Sequence, residues 1–146
     1  MSYRCLSWLL AAGIALPCAC GKKDDGRKPT FPVTGQVYVD GKPPDSPILI
    51  SCHPVGGIDK ANPTVSAART GDDGKFSIST YKSGDGIPEG EYVLTFYWGK
   101  ENLFTRSYGG PDRLNGRYKD PKKSPWHITV KAGEPTDMGR IDLTSK

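Results

Sequence analysis

Histidine is nearly absent from this chain: His53 and His127 are the two among 146 residues. Cysteine is scarce beyond the first twenty residues, where only Cys52 occurs, and no second apolar run follows the one that ends at Leu16. Adjacent basic residues late in the chain are limited to Lys122-Lys123. Each shortage excludes something. Two histidines leave little for a zinc centre, which draws on several His, Cys and carboxylate ligands. A chain without a basic stripe has no footprint for nucleic acid. There is no phosphate-cradling glycine loop and no serine or cysteine in a nucleophile elbow. Helical periodicity is missing from every window longer than eight residues. Glycine (18) and proline (13) are instead plentiful, about a fifth of the chain, which rules out a helical bundle and favours short strands joined by tight turns.

What is present begins at the N-terminus. Arg4 precedes an uncharged run of eleven residues, Leu6 to Leu16, followed by Pro17-Cys18-Ala19-Cys20-Gly21 and the charged stretch KKDDGRK. That order is the pattern of a secretory signal. Eleven helical residues reach about 16 Å, half of a bilayer core, which is too short for a permanent span. Ala19-Cys20-Gly21 resembles the lipobox of bacterial lipoproteins, in which the cysteine sulfur takes a diacylglyceryl group and becomes the first residue after cleavage. Pro17 stands where that motif carries Leu. Cys18 is the rival acceptor, and a plain secreted protein cut near Ala19 is the alternative. The expectation is a signal peptide over 1–19 and lipidation at Cys20, with membrane lipid as the partner. Acyl chains contribute about 0.8 kcal/mol per buried CH₂, so two or three of them anchor a protein stably. Cys52 is then the one remaining thiol, which excludes an intramolecular disulfide. It shares parity with Ile48 and Ile50, so it is expected inside the core as a small apolar group.

The 127 residues after the signal suffice for one domain. Loss of Arg4 lowers the formal charge from +4 to +3. Residues 20–30 mix charges with Gly and Pro and read as a flexible tether. From residue 31 the pattern turns to period-two alternation. Val33, Val37 and Val39 alternate with polar neighbours before Asp40-Gly41; Ile48, Ile50 and Cys52 follow. A weaker run over 64–70 leads to Gly71-Asp72-Asp73-Gly74, then Phe76 and Ile78. Tyr92, Leu94, Phe96 and Trp98 face one way and Val93, Thr95 and Tyr97 the other; Trp126, Ile128, Val130, Ile141 and Leu143 complete the series. Seven short strands, each with one packed and one wet face, predict an all-β, antiparallel Greek-key sandwich.

The runs VTGQVYVDGKPPDSPILISCHP, RTGDDGKFSIST, SGDGIPEGEYVLTF and YKDPKKSPWHITVKAG occur in this order over about residues 31–143. Together with the lipobox-like start they resemble small bacterial lipoproteins built around a carboxypeptidase-regulatory-like, transthyretin-like domain. The resemblance implies a prealbumin-like seven-stranded sandwich over 31–146, exported and lipid-anchored on the periplasmic or outer face of a membrane. It implies no enzyme and no cofactor, since the domain is named for an accessory module without catalytic residues. Transthyretin-like hydrolases of 5-hydroxyisourate end in Tyr-Arg-Gly-Ser, whereas this chain ends Asp142-Leu143-Thr144-Ser145-Lys146.

Binding is hinted at by aromatics alone. Tyr97, Trp98, Phe104, Tyr108, Tyr118 and Trp126 gather in or around an irregular stretch, 99–125, longer than most connections in a compact domain. Trp98, Tyr108 and Trp126 are the candidate ligand-binding residues, with a cell-envelope glycan or protein as partner; the competing reading has Trp98 and Trp126 capping the core. Asp72, Asp73 and Asp85 lack the alternate-position spacing of a calcium loop and read as turn residues. His53 and His127 both have outward parity.

Overall fold

The computed structural model describes residues 26–102, 104–105 and 107–146. The expected signal segment, the candidate lipidation residue Cys20 and the expected tether as far as residue 25 lie outside the described residues. All regular structure among them is β. The strands are β1 (Thr30–Phe31), β2 (Val33–Val39), β3 (Leu49–Pro54), β4 (Ser66–Arg69), β5 (Lys75–Ser77), β6 (Ile87–Pro88), β7 (Gly90–Tyr97), β8 (Lys100–Asn102), β9 (Ser107–Gly109), β10 (His127–Val130) and β11 (Thr136–Leu143).

Two principal sheets, β10-β7-β3-β4 and β11-β2-β5, hold the seven runs expected from alternation; the ribbons β1-β6 and β8-β9 are additional. The inward residues of both sheets form one core, with Val33, Val37, Phe76, Ile141 and Leu143 from one layer and Ile50, Leu94, Phe96, Ile128 and Val130 from the other. Cys52 is buried within it, as its parity predicted. The sandwich is therefore the product of period-two patterning on facing strands.

Three points depart from expectation. The last ladder is parallel, not antiparallel: β11 runs alongside β2 with Ile141 opposite Val37 and Leu143 opposite Val39. The reason is the crossover from β10, which turns through 131–135 and enters the second sheet at the end where β2 also begins. A register shift between Asp137 and Arg140 accommodates it. Second, Val93 and Thr95 are buried on the face assigned to water. β7 is a central strand, so on that face Val93 lies between His127 of β10 and His53 of β3, and Thr95 bonds His53. Third, Arg27 and Lys28, read as tether, lie against the domain. Lys28 pairs with Asp59 and its backbone N–H donates to Tyr81 Oη, while the Arg27 guanidinium sits over the Tyr81 ring.

Register gives the sandwich two distinct ends. Leu49 of β3 lies opposite Tyr97 of β7, and Pro54 opposite Tyr92. The chain enters beside the Pro54 end, where Gly26 abuts Asn62 and Val55 N–H donates to Glu91 O. The stretch 99–117 begins at the other end, after Tyr97 and Trp98. Eight residues of β7 separate the two, about 23 Å at strand rise. Tyr92 closes the entry end, its hydroxyl donating to Pro88 O at 3.0 Å in a corner arrangement.

Candidate functional site at the aromatic end

Trp98 is buried at the far end of β7. Its indole Nε1–H points to Ser46, 2.9 Å from Oγ and 3.2 Å from the carbonyl oxygen. The Arg113 guanidinium lies 3.5 Å over the Trp98 ring and pairs with Asp45 through both terminal nitrogens. This Arg113 contact holds the Asp45 carboxyl below the usual range. Asp112 accepts from the backbone N–H of Trp98, Leu114 and Gly116, and Arg113 N–H donates to Trp98 O. Leu114 is fully buried behind this latch. A stacked cation, a bidentate ion pair and a carboxylate capping three N–H groups fix the segment to the end of the sheet.

Tyr108 joins the same structure. Its hydroxyl accepts from Gly99 N–H at 2.7 Å and lies 2.6 Å from Pro47 O, to which it donates. Its ring meets Tyr97 edge to face at 5.9 Å, and the Arg69 guanidinium lies 4.9 Å from its centroid. Burial raises its phenol above the ordinary value. Trp126 is elsewhere: it packs edge to face on Phe96 at 6.5 Å, beside Tyr118, with its carbonyl accepting from Leu94 N–H. Its indole Nε1 is buried with no partner. The structure thus brings Trp98 and Tyr108 together and leaves Trp126 on a separate flank.

Among the candidate aromatics, the ring offered to solvent is Phe104, fully exposed on the β8-β9 hairpin. It borders a cleft of about 570 Å³ shared with Lys100, Asn102, Ser107 and Pro111. A second cleft of about 550 Å³ lies on the outer face of the four-stranded sheet, lined by Ser51, His53, Thr95, Tyr97, Asp112 and Lys119. There His53 Nε2 shares a 2.9 Å hydrogen bond with Thr95 Oγ1. His53 and His127 flank Val93 in one cross-strand row. No group of three or more His, Cys, Asp or Glu gathers among the described residues. Asp73 serves its turn, accepting from Lys75 N–H, and Asp85 accepts from the N–H groups of Thr80, Tyr81 and Lys82.

Comparison with known proteins adds little. No family model matches the chain, and no curated protein does. A 9R-lipoxygenase from Cyanothece PCC8801 is among the solved structures that align, at a TM-score of 0.37 and 14% identity over 79% of this chain. The chain spans 16% of that protein's length, and a likeness of this degree carries no functional argument.

Sequence reasoning named Arg113 only as a polar neighbour of the aromatics that could serve sugar binding, and it did not single out Leu114 or Ser46. Leu114 had a visible signal, as the sole aliphatic residue between Phe104 and Ile128. Ser46 had none, because its role arises from a contact with Arg113 across 67 residues.

Proposed function

We propose that this chain is a non-enzymatic lipoprotein that is anchored through acylated Cys20 and displays a carboxypeptidase-regulatory-like sandwich at the cell envelope. The run Leu6–Leu16 and the Ala19-Cys20-Gly21 motif support the anchor. The observation that carries the display role is the opposition of ends: the chain enters the sandwich beside Pro54, and the latched segment 99–117 stands at the Tyr97 end. A lipid on Cys20 would put the first end toward the bilayer and the second away from it. The test is intact mass and membrane partitioning of the expressed protein beside Cys20→Ser. The expected result is a mature chain starting at Cys20 with added acyl mass, both lost in the mutant. An unmodified chain in the soluble exported fraction would replace the anchor with a freely diffusing protein.

A second reading, a glycan- or peptide-binding module, is favoured by the complete exposure of Phe104 beside its cleft. An unburied aromatic face suits stacking on a sugar ring or a peptide side chain, whereas Trp98 and Tyr108 have their polar groups engaged in the fold. On this reading Phe104→Ala cuts retention on cell-wall polysaccharide resin without changing the melting temperature.

A further inference from the structure

We infer that the entry end of the sandwich is itself a membrane-docking surface, with the β3-β4 loop seated in the interfacial layer of a phospholipid bilayer. The inference deepens the lipid-anchor reading and rests on it. Four large hydrophobic side chains are exposed among the described residues, and three belong to this one loop: Val55 at 55%, Ile58 at 62% and Val65 at 79%. Clustered exposed apolar groups in a polar domain mark a contact surface. The fourth, Phe104, is at the opposite end.

The occupant follows from where the chain leads. Gly26 abuts Asn62 of this loop. Six residue steps connect Gly26 to Cys20, at most about 20 Å of extended chain. An acyl group on Cys20 therefore holds the loop within that distance of the headgroups, whatever path the connection takes. The loop is also prepared for a medium poorer in water. Lys28 neutralises Asp59 at 2.5 Å, and the same carboxylate accepts from Ala61 and Asn62 N–H, so its charge next to Ile58 is paired and hydrogen-bonded. Gly57 N–H donates to Pro54 O, which closes the turn beneath Ile58. Charge does not select the surface: Arg27, Lys28 and Lys60 stand against Asp59, Glu89 and Glu91. The attraction is apolar burial, and docking is expected on zwitterionic lipid and at high salt alike.

The test uses the full lipidated protein in phosphatidylcholine vesicles, with an environment-sensitive thiol fluorophore on Ile58→Cys or, as the far-end control, on Phe104→Cys. Acylation blocks Cys20. Cys52 is buried and its thiol is pushed up to about 12, so the introduced cysteine takes the label. The expected result is blue-shifted emission at position 58, quenched by bromine-bearing lipid and unchanged by salt, with a water-like, unquenched signal at 104. Water-like emission at 58 from protein that co-floats with vesicles would overturn docking while leaving the anchor intact. Protein that does not co-float would overturn both. Shielding at 58 that persists in detergent and grows with protein concentration would hand the surface to a second copy of the chain, against the inference.

Discussion

Gly41 and Gly74 both follow an aspartate, both have φ near +80°, and both were legible as turn residues from the Asp-Gly pair. Their surroundings differ. A Cβ on Gly41 meets nothing within 4 Å, whereas one on Gly74 would lie 2.2 Å from Val37 O, because the Gly74 carbonyl is drawn in to accept from Val37 N–H. Gly41→Ala should cost about 1–2 kcal/mol, the strain of a left-handed alanine alone. Gly74→Ala adds a backbone collision and should cost roughly 2–4 kcal/mol. Urea unfolding midpoints of the two variants check this, and equal losses would mean that the hairpin shifts freely away from β2. The conformation of these glycines was written in the local sequence; the difference between them was not, since Val37 is more than thirty residues from Gly74.

The strands were readable because each carries its own alternation, and a buried face needs no knowledge of its partner. The parallel β2-β11 ladder was not, since direction depends on where the crossover from β10 re-enters. The stretch 99–125 shows the same division. Its aromatic richness was evident, but whether those rings face solvent or protein depends on Ser46 and Asp45, brought in from before β3. Trp98→Ala opens the space under Arg113 and frees Ser46, and should cost about 3–5 kcal/mol. Phe104→Ala removes a ring in open solvent and should stay within about 0.5 kcal/mol. Thermal melts of both distinguish a residue that builds the segment from one that the segment presents. A large loss for Phe104→Ala would mean that its ring packs in solution.

For the molecule as a whole, acid is the natural stress. Asp40, Asp45, Asp59, Asp73 and Asp85 are all held below the usual carboxylate value. Four of them owe this mainly to side-chain partners: Ser145, Arg113, Lys28 and Lys75 respectively. For Asp85, burial pushes upward, and the N–H groups of Thr80, Tyr81 and Lys82 outweigh it. A depressed folded value means the stabilisation is complete above the unfolded value of about 3.9 and is lost as pH falls through the folded one. The melting temperature should therefore hold near neutrality and drop below about pH 4. Asp85→Asn should be less stable than the wild type at neutral pH, with the gap narrowing in acid; a gap independent of pH would remove Asp85 from the account.

The parallel pairing of β2 with β11 has a mechanical meaning. The N-terminal side of the domain leads through the short β1 into the start of β2, and the chain leaves β11 at its far end, so the two long strands nearest the chain ends lie side by side and point the same way. With the proposed anchor at Cys20, tension between the membrane and anything gripping the residues after β11 would act along that ladder in shear, loading its hydrogen bonds together instead of peeling them one at a time. A domain tethered in flowing or crowded surroundings would in this way meet tugging with its most force-resistant geometry.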